Sequence, residues 1–189
     1  MTAQEKYRWI EYHKWKFSGK WFTPLTRSKE GSKNTLVLLT KFEFGFLGYY
    51  NQELGPSPFE GFQVGGDGLY GYNLYGRETI GLRGYTNNSL TPDNGGNLYN
   101  KFTLEMRYPL SLNPTATFYA LAFLEGGNAW YDFSEYDPFD MKRSAGVGVR
   151  VYMPMIGMLG VDWGYGFDEI EGASGVNGPN FHFVIGQQF

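Results

Sequence analysis

The sequence contains no cysteine and only two histidines. The first absence excludes a disulfide framework and a thiolate metal site. The histidines, His13 and His182, stand far apart with no His or Cys nearby, so they form no metal-ligand pattern. No stretch is apolar for the roughly 18 residues that a membrane helix needs. The first residues, Met1 to Lys6, lack the apolar core of a signal peptide, so the chain is expected to begin inside a longer protein. Neither sign of charge dominates: 16 Lys and Arg against 19 Asp and Glu leave a net charge of −3, spread along the chain. That is no nucleic-acid surface. Catalytic patterns are missing as well. No Ser-His-Asp or paired-carboxylate arrangement stands out. Gly65-Gly66-Asp67-Gly68 is followed by no helix whose N-terminus could cradle a phosphate. Asp168, Glu169 and Glu171 read as a solvated loop rather than a calcium site. The chain is therefore expected to be no enzyme and to carry no cofactor or metal.

What the sequence does have is glycine (27 residues), aromatics (19%) and a period of two. From Tyr99 to Pro109, Phe102, Leu104, Met106 and Tyr108 share one face, and Lys101, Thr103, Glu105 and Arg107 share the other. Ala145, Val147, Val149, Val151 and Met153 repeat the pattern, as do Leu159, Val161, Trp163, Tyr165 and Phe167. So do Leu36, Leu38, Thr40, Phe42, Phe44 and Phe46, and the terminal Phe181, Phe183, Ile185, Gln187 and Phe189. Phe118, Ala120, Ala122 and Leu124 form a less regular face, and the Trp- and Lys-rich start of the chain adds a further strand. Strands are expected at 7–22, 34–49, 99–110, 115–129, 142–153, 157–167 and 180–189. Leu110 to Pro114 and Pro154 to Ile156 read as short turns, and Tyr131 to Met141 and Asp168 to Pro179 as longer polar loops. Residues 50–98 are too long for an ordinary connection, and their Gly and Tyr content suggests an ordered loop packed against something.

Alternation alone does not separate a membrane barrel from a soluble β-sandwich or lipocalin-like barrel, in which the apolar face would point inward. Three features favour the membrane. Glycines lie beside charged residues on the polar faces, as in a wet lumen. Trp and Tyr gather near strand ends, as in interfacial girdles. The chain closes on an aromatic, Phe189. The mean hydropathy of −0.39 is no objection, because only alternate residues of such a barrel meet lipid. The expected fold is all-β: an antiparallel transmembrane β-barrel segment of about seven meander strands with one long inward-folded loop. On this reading a charge at Val149 is costly, whereas Gly148→Ser should be mild. Inside the long loop, Ile80-Gly81-Leu82-Arg83-Gly84-Tyr85 sets an arginine between glycines and next to an aromatic. Either Arg83 reaches into the lumen and pairs with carboxylates, or it caps an exposed tip in water.

Several segments resemble the BamA-type outer-membrane β-barrel assembly family. Leu82-Arg83-Gly84-Tyr85 is similar to the (V/L)-R-G-(F/Y) motif of that family's sixth extracellular loop. Pro58 to Gly66 resembles its aromatic approach ending in a Gly pair, and Leu104 to Pro109 the strand after the loop. Phe123 to Trp130 resembles its acidic-Gly-(Asn/Thr)-x-Trp segment. Ser144 to Arg150 with Met153-Pro154 and Leu159 to Asp162 resembles the penultimate hairpin, and Phe183 to Phe189 the closing strand.

The resemblance implies the C-terminal part (1–189) of a sixteen-strand barrel in the bacterial outer membrane, with 50–98 as an extracellular loop folded into the lumen and no periplasmic domain present. It implies an insertase that folds β-barrel proteins through a lateral gate. The partners would be outer-membrane lipid, nascent β-barrel proteins, the missing N-terminal strands and periplasmic domains, and accessory lipoproteins. A polypeptide- or lipid-translocating relative, or a passive porin-like barrel, is the alternative. With the motif and the strand parity together, Arg83 is expected inside the barrel against Glu105, Glu125 or both, for about 1–3 kcal/mol in a wet lumen. The closing strand, with Phe181, Phe183, Ile185, Gly186 and Phe189, would form one gate edge, and deletion of Phe189 would slow assembly.

Overall fold

The computed structural model describes residues 11–26, 35–51, 53, 55–69, 77–170 and 176–186. The strands are β1 (Tyr12–Pro24), β2 (Val37–Tyr49), β3 (Phe62–Val64), β4 (Glu78–Ile80), β5 (Leu98–Asn113), β6 (Ala116–Trp130), β7 (Lys142–Met153), β8 (Gly157–Glu169) and β9 (Val176–Gly186). Seven of them form one sheet in the order β1-β2-β5-β6-β7-β8-β9, with each neighbour antiparallel. The other two, β3 and β4, pair in parallel within the long connection between β2 and β5. Among the described residues no helix is long and apolar enough to cross a membrane, which says nothing about crossing by strands.

Several strand ends differ from the sequence expectation. Of the strand expected at 7–22, residues 7–10 lie outside the described residues and Glu11 precedes β1; residue 34 and the terminal Gln187 to Phe189 also lie outside them. The expected turn at Leu110 to Pro114 is shorter: β5 continues to Asn113, and its ladder with β6 shifts between Pro109 and Ser111. A bulge is where a sheet accommodates a residue that cannot donate. The expected loop Asp168 to Pro179 is shorter as well. β8 runs to Glu169 and β9 starts at Val176, with Pro179 opposite Tyr165. β9 pairs only with β8 among the described residues, and an edge strand tolerates proline.

The two faces of the sheet are inverted relative to a soluble protein. Leu104, Val147, Val161 and Phe183 are roughly half exposed, whereas Glu105 is 4%, Asp162 0% and His182 3% exposed. What covers the charged face is the long connection. Phe62, Val64, Ile80, Leu82, Tyr85 and Leu90 from the connection form one buried cluster with Leu47, Tyr99 and Ala129 from inward positions of β2, β5 and β6. Tyr99 stands opposite Gly45 on one side and Ala129 on the other. A Cβ on Gly45 would strike the Tyr99 ring, so the absence of a side chain there makes room for that ring against Phe62. Phe62 and Tyr99 meet with ring centroids 4.7 Å apart. The apolar core of this chain therefore lies between loop and wall, and the apolar outer face is left uncovered.

The inward glycines do not line open water, as the sequence reading supposed. A Cβ on Gly160 would meet the Arg150 side chain, and one on Gly146 would meet Phe123. Gly148 is covered by the Asp162 carboxylate, so Gly148→Ser is not the mild change expected from sequence. Glycine is used here because long side chains from the next strand lie down across it.

Candidate functional site

The segment after β4 carries the Leu-Arg-Gly-Tyr residues onto the inner wall, and each of the four has a separate contact. Leu82 is fully buried in the cluster between loop and wall. The Tyr85 hydroxyl donates to the Arg143 carbonyl at 2.8 Å and accepts from the Asp168 N–H at 3.3 Å. Burial pushes the Tyr85 phenol up to about 12, so the hydroxyl keeps its proton at neutral pH.

Arg83 is 9% exposed and touches three carboxylates. Nη2 lies 2.8 Å from Glu105 Oε2 and 2.8 Å from Glu125 Oε1, and Nη1 lies 3.1 Å from Asp162 Oδ2. The Arg83 backbone N–H donates to Glu125 Oε2 at 2.9 Å. The guanidinium lies over the Phe123 ring, 3.7 Å from its centroid. Each carboxylate also has its own cation on the wall. Arg107 Nε is 2.7 Å from Glu105 Oε1, and Lys101 Nζ is 3.2 Å from Glu125 Oε1. Arg150 grips Asp162 with both Nη atoms at 2.5 Å. Lys101 additionally donates to the Gly81 carbonyl, and Thr103 Oγ1 to Glu125 Oε1 at 3.1 Å. Burial works against the charged guanidinium, but Glu125, then Glu105 and Asp162, outweigh it and raise the Arg83 pKa further. A cavity of about 440 Å³ adjoins the cluster, lined also by Lys20, Lys41, Tyr119 and Met158.

Gly84 is held on the terminal strand. Its N–H donates to His182 Nε2 at 2.7 Å, and its carbonyl accepts from Asn180 Nδ2 at 3.1 Å and from Asn177 Nδ2. The backbone there has φ +89°, and a Cβ would lie 2.7 Å from Ser144 Cβ and 3.1 Å from Gly166 N. The seat is the Ser144 side chain and the backbone of Tyr165 and Gly166, where Ser144 pairs with Gly166 across β7 and β8. Only glycine combines that φ with that approach.

Of the residues singled out from sequence, Leu82, Arg83, Gly84, Tyr85, Glu105 and Glu125 are brought together. Phe181, Phe183 and Ile185 face outward and are well exposed, Gly186 ends β9, and Phe189 lies outside the described residues. Sequence reasoning missed Asp162, Arg150, His182, Asn177 and Asn180. Parity alone could have found Asp162 and His182, which pair across β8 and β9 on the inward face. The period of two sets His182 opposite Phe181, Phe183 and Ile185, but it does not identify the Gly84 N–H as its partner. Among the described residues no group of three or more His, Cys, Asp or Glu could hold a metal ion.

Comparison with known proteins fits this geometry. No curated protein matches the chain. Among solved structures, the chain is similar to BamA from Haemophilus ducreyi lacking POTRA domains 1–3. The TM-score is 0.60 and the identity 18%, over 93% of this chain and 35% of that one. This chain thus spans about a third of that protein's length. The family model of the Omp85 superfamily domain matches residues 3–189, and that family is not one of enzymes. The chain belongs to the Omp85 superfamily.

Proposed function

We propose that this chain is the C-terminal part of an outer-membrane β-barrel of the BamA type, which folds and inserts other β-barrel proteins at the edge formed by its terminal strand. The observation that carries this reading is the anchorage of the Leu82-Arg83-Gly84-Tyr85 segment on the inner wall, directly against β9. A substrate strand that adds to β9 would gain main-chain hydrogen bonds at an edge with no neighbour on its other side among the described residues. The uncovered apolar face of the sheet suits outer-membrane lipid as the surrounding solvent.

Strand direction supports the reading that further strands complete the barrel. Six antiparallel pairings separate β1 from β9, so the two edges run the same way. Joined directly they would form a parallel seam. An all-antiparallel closure takes an odd number of additional strands, and an unpaired edge in lipid is untenable. Those strands, periplasmic domains, nascent β-barrel proteins and accessory lipoproteins are the partners this function requires. A passive porin fits less well, because the loop covers the charged face of the sheet and is held there by ion pairs.

The function is tested with the complete protein in liposomes, following the folding of a urea-unfolded β-barrel client by its resistance to protease. Faster client folding than in empty liposomes is expected. Unchanged folding, with an unfolded polypeptide instead carried across the bilayer, would replace insertion by translocation. The membrane placement has its own test. Val149 is about half exposed on the outer face. Val149→Arg is expected to cost about 2–4 kcal/mol near mid-bilayer, measured by urea titration of the folded protein in lipid. A change within about 0.5 kcal/mol, the range of an ordinary surface substitution, would place that face in water.

A further inference from the structure

The long connection touches both outermost strands of the described sheet, β1 and β9. At β1, Lys14 Nζ lies 3.0 Å from Glu60 Oε2 and 3.6 Å from Glu78 Oε2, Lys16 pairs with Glu78, and the Tyr12 hydroxyl donates to Glu60 at 3.1 Å. At β9, the Gly84 peptide is bonded by His182, Asn180 and Asn177. Between these ends the described residues of the connection are paired and packed. Glu78 opens β4, which pairs with β3, and Val64, Ile80 and Leu82 are buried.

We propose that the connection is a strap that sets the separation of β1 and β9 across the charged face of the sheet, with Asn180 and His182 as the positioning residues that tie β9 to it. The β9 end is the firm one. The Gly84 N–H and carbonyl are buried with β9 side chains as their partners, and a buried peptide group stripped of its partner is costly. β9 therefore cannot move away from the wall without also disturbing Gly84. The β1 end is weaker. Lys14 and Glu60 keep 21% and 25% of their side-chain exposure, and Lys16 and Glu78 keep 42% and 34%. Ion pairs that wet contribute little and weaken further with salt. The strap thus lets go of β1 first and of β9 last. Its consequence for a gate at β9 rests on the insertase reading above; the strap itself does not.

Hydrogen exchange on the complete protein in detergent tests it. In His182→Ala and in Asn180→Ala, β9 amides are expected to exchange about tenfold faster or more, while β6 and β7 keep their protection. His182→Gln, whose side-chain carbonyl can accept from the Gly84 N–H, should restore protection; His182→Lys, a donor only, should not. Lys14→Ala combined with Lys16→Ala, or high salt, should speed exchange in β1 and β3 and leave β9 protected. Unchanged β9 exchange in both alanine variants, or equal rescue by Gln and Lys, would overturn the strap. If exchange responds as stated while client folding by these variants equals wild type, the strap stands and its consequence for a gate at β9 falls; client folding no faster than in empty liposomes would instead remove the insertase reading and leave the strap.

Discussion

Arg83→Ala is expected to free the loop and leave the sheet standing. Four cations and three carboxylates meet in the cluster: Arg83, Lys101, Arg107 and Arg150 against Glu105, Glu125 and Asp162. Without Arg83 the wall retains three of each, and every carboxylate keeps a partner. Removing one member of a buried pair costs about 3–5 kcal/mol when the other charge is stranded. Here none is stranded, so the loss is expected near 2–3 kcal/mol, in the range of hydrogen bonds to charged groups, and confined to loop docking. Limited proteolysis should cut the loop sooner, while the circular dichroism of the sheet is retained. Arg83→Lys should rescue poorly, because an ammonium is a point charge and does not span three carboxylates as a fork does. Asp162→Ala is the contrasting change. It leaves the buried Arg150 without its bidentate partner. Its cost, about 3–5 kcal/mol, should fall on the sheet itself. If Arg83→Ala unfolds the sheet as readily as Asp162→Ala does, the division between loop and sheet is wrong.

Gly84→Ala should be as damaging to the loop as the loss of Arg83, though it removes no interaction. A left-handed conformation costs a non-glycine residue about 1–2 kcal/mol. The added methyl would also press on Ser144 and on the backbone of Tyr165 and Gly166. Overpacking of this kind costs about 1–3 kcal/mol, and backbone gives way less easily than a side chain tip. Together these cancel what the Gly84 peptide gains from His182, Asn180 and Asn177, so the tip should leave its seat. Gly186→Ala is the control: a Cβ there meets nothing within 4 Å. Urea titration of the two variants, with β9 exchange as the local readout, should find the first destabilised and the second close to wild type. Similar behaviour of the two would mean that Gly84 is not seated on the wall.

The period of two is a property of the extended backbone, and it was readable without any structure. It put Glu105 and Glu125 on one face and Leu104 and Leu124 on the other, and the same parity holds in the folded sheet. The seven strands of the main sheet were legible for the same reason; β3 and β4, three residues each inside the long connection, were not. Strand ends were not. Ser111, Leu112 and Pro179 look like turn residues locally, yet a bulge and an edge position let the ladder run through them. The site was legible where it lies on a run of sequence, at Leu82 to Tyr85, and illegible where it depends on distant encounters. Asp162 is 79 residues from Arg83, and His182 is 98 residues from Gly84. His182 looked solitary because its partner is a backbone N–H, which leaves no mark in a sequence. The glycines of β7 and β8 looked like lumen lining because composition cannot reveal what lies across them. Which face of the sheet is covered was likewise decided only in three dimensions. The same alternation serves a soluble sandwich, and here the loop packs on the charged face and leaves the apolar one bare. Parity is fixed by the covalent chain, but coverage is fixed by what the rest of the chain finds to pack against.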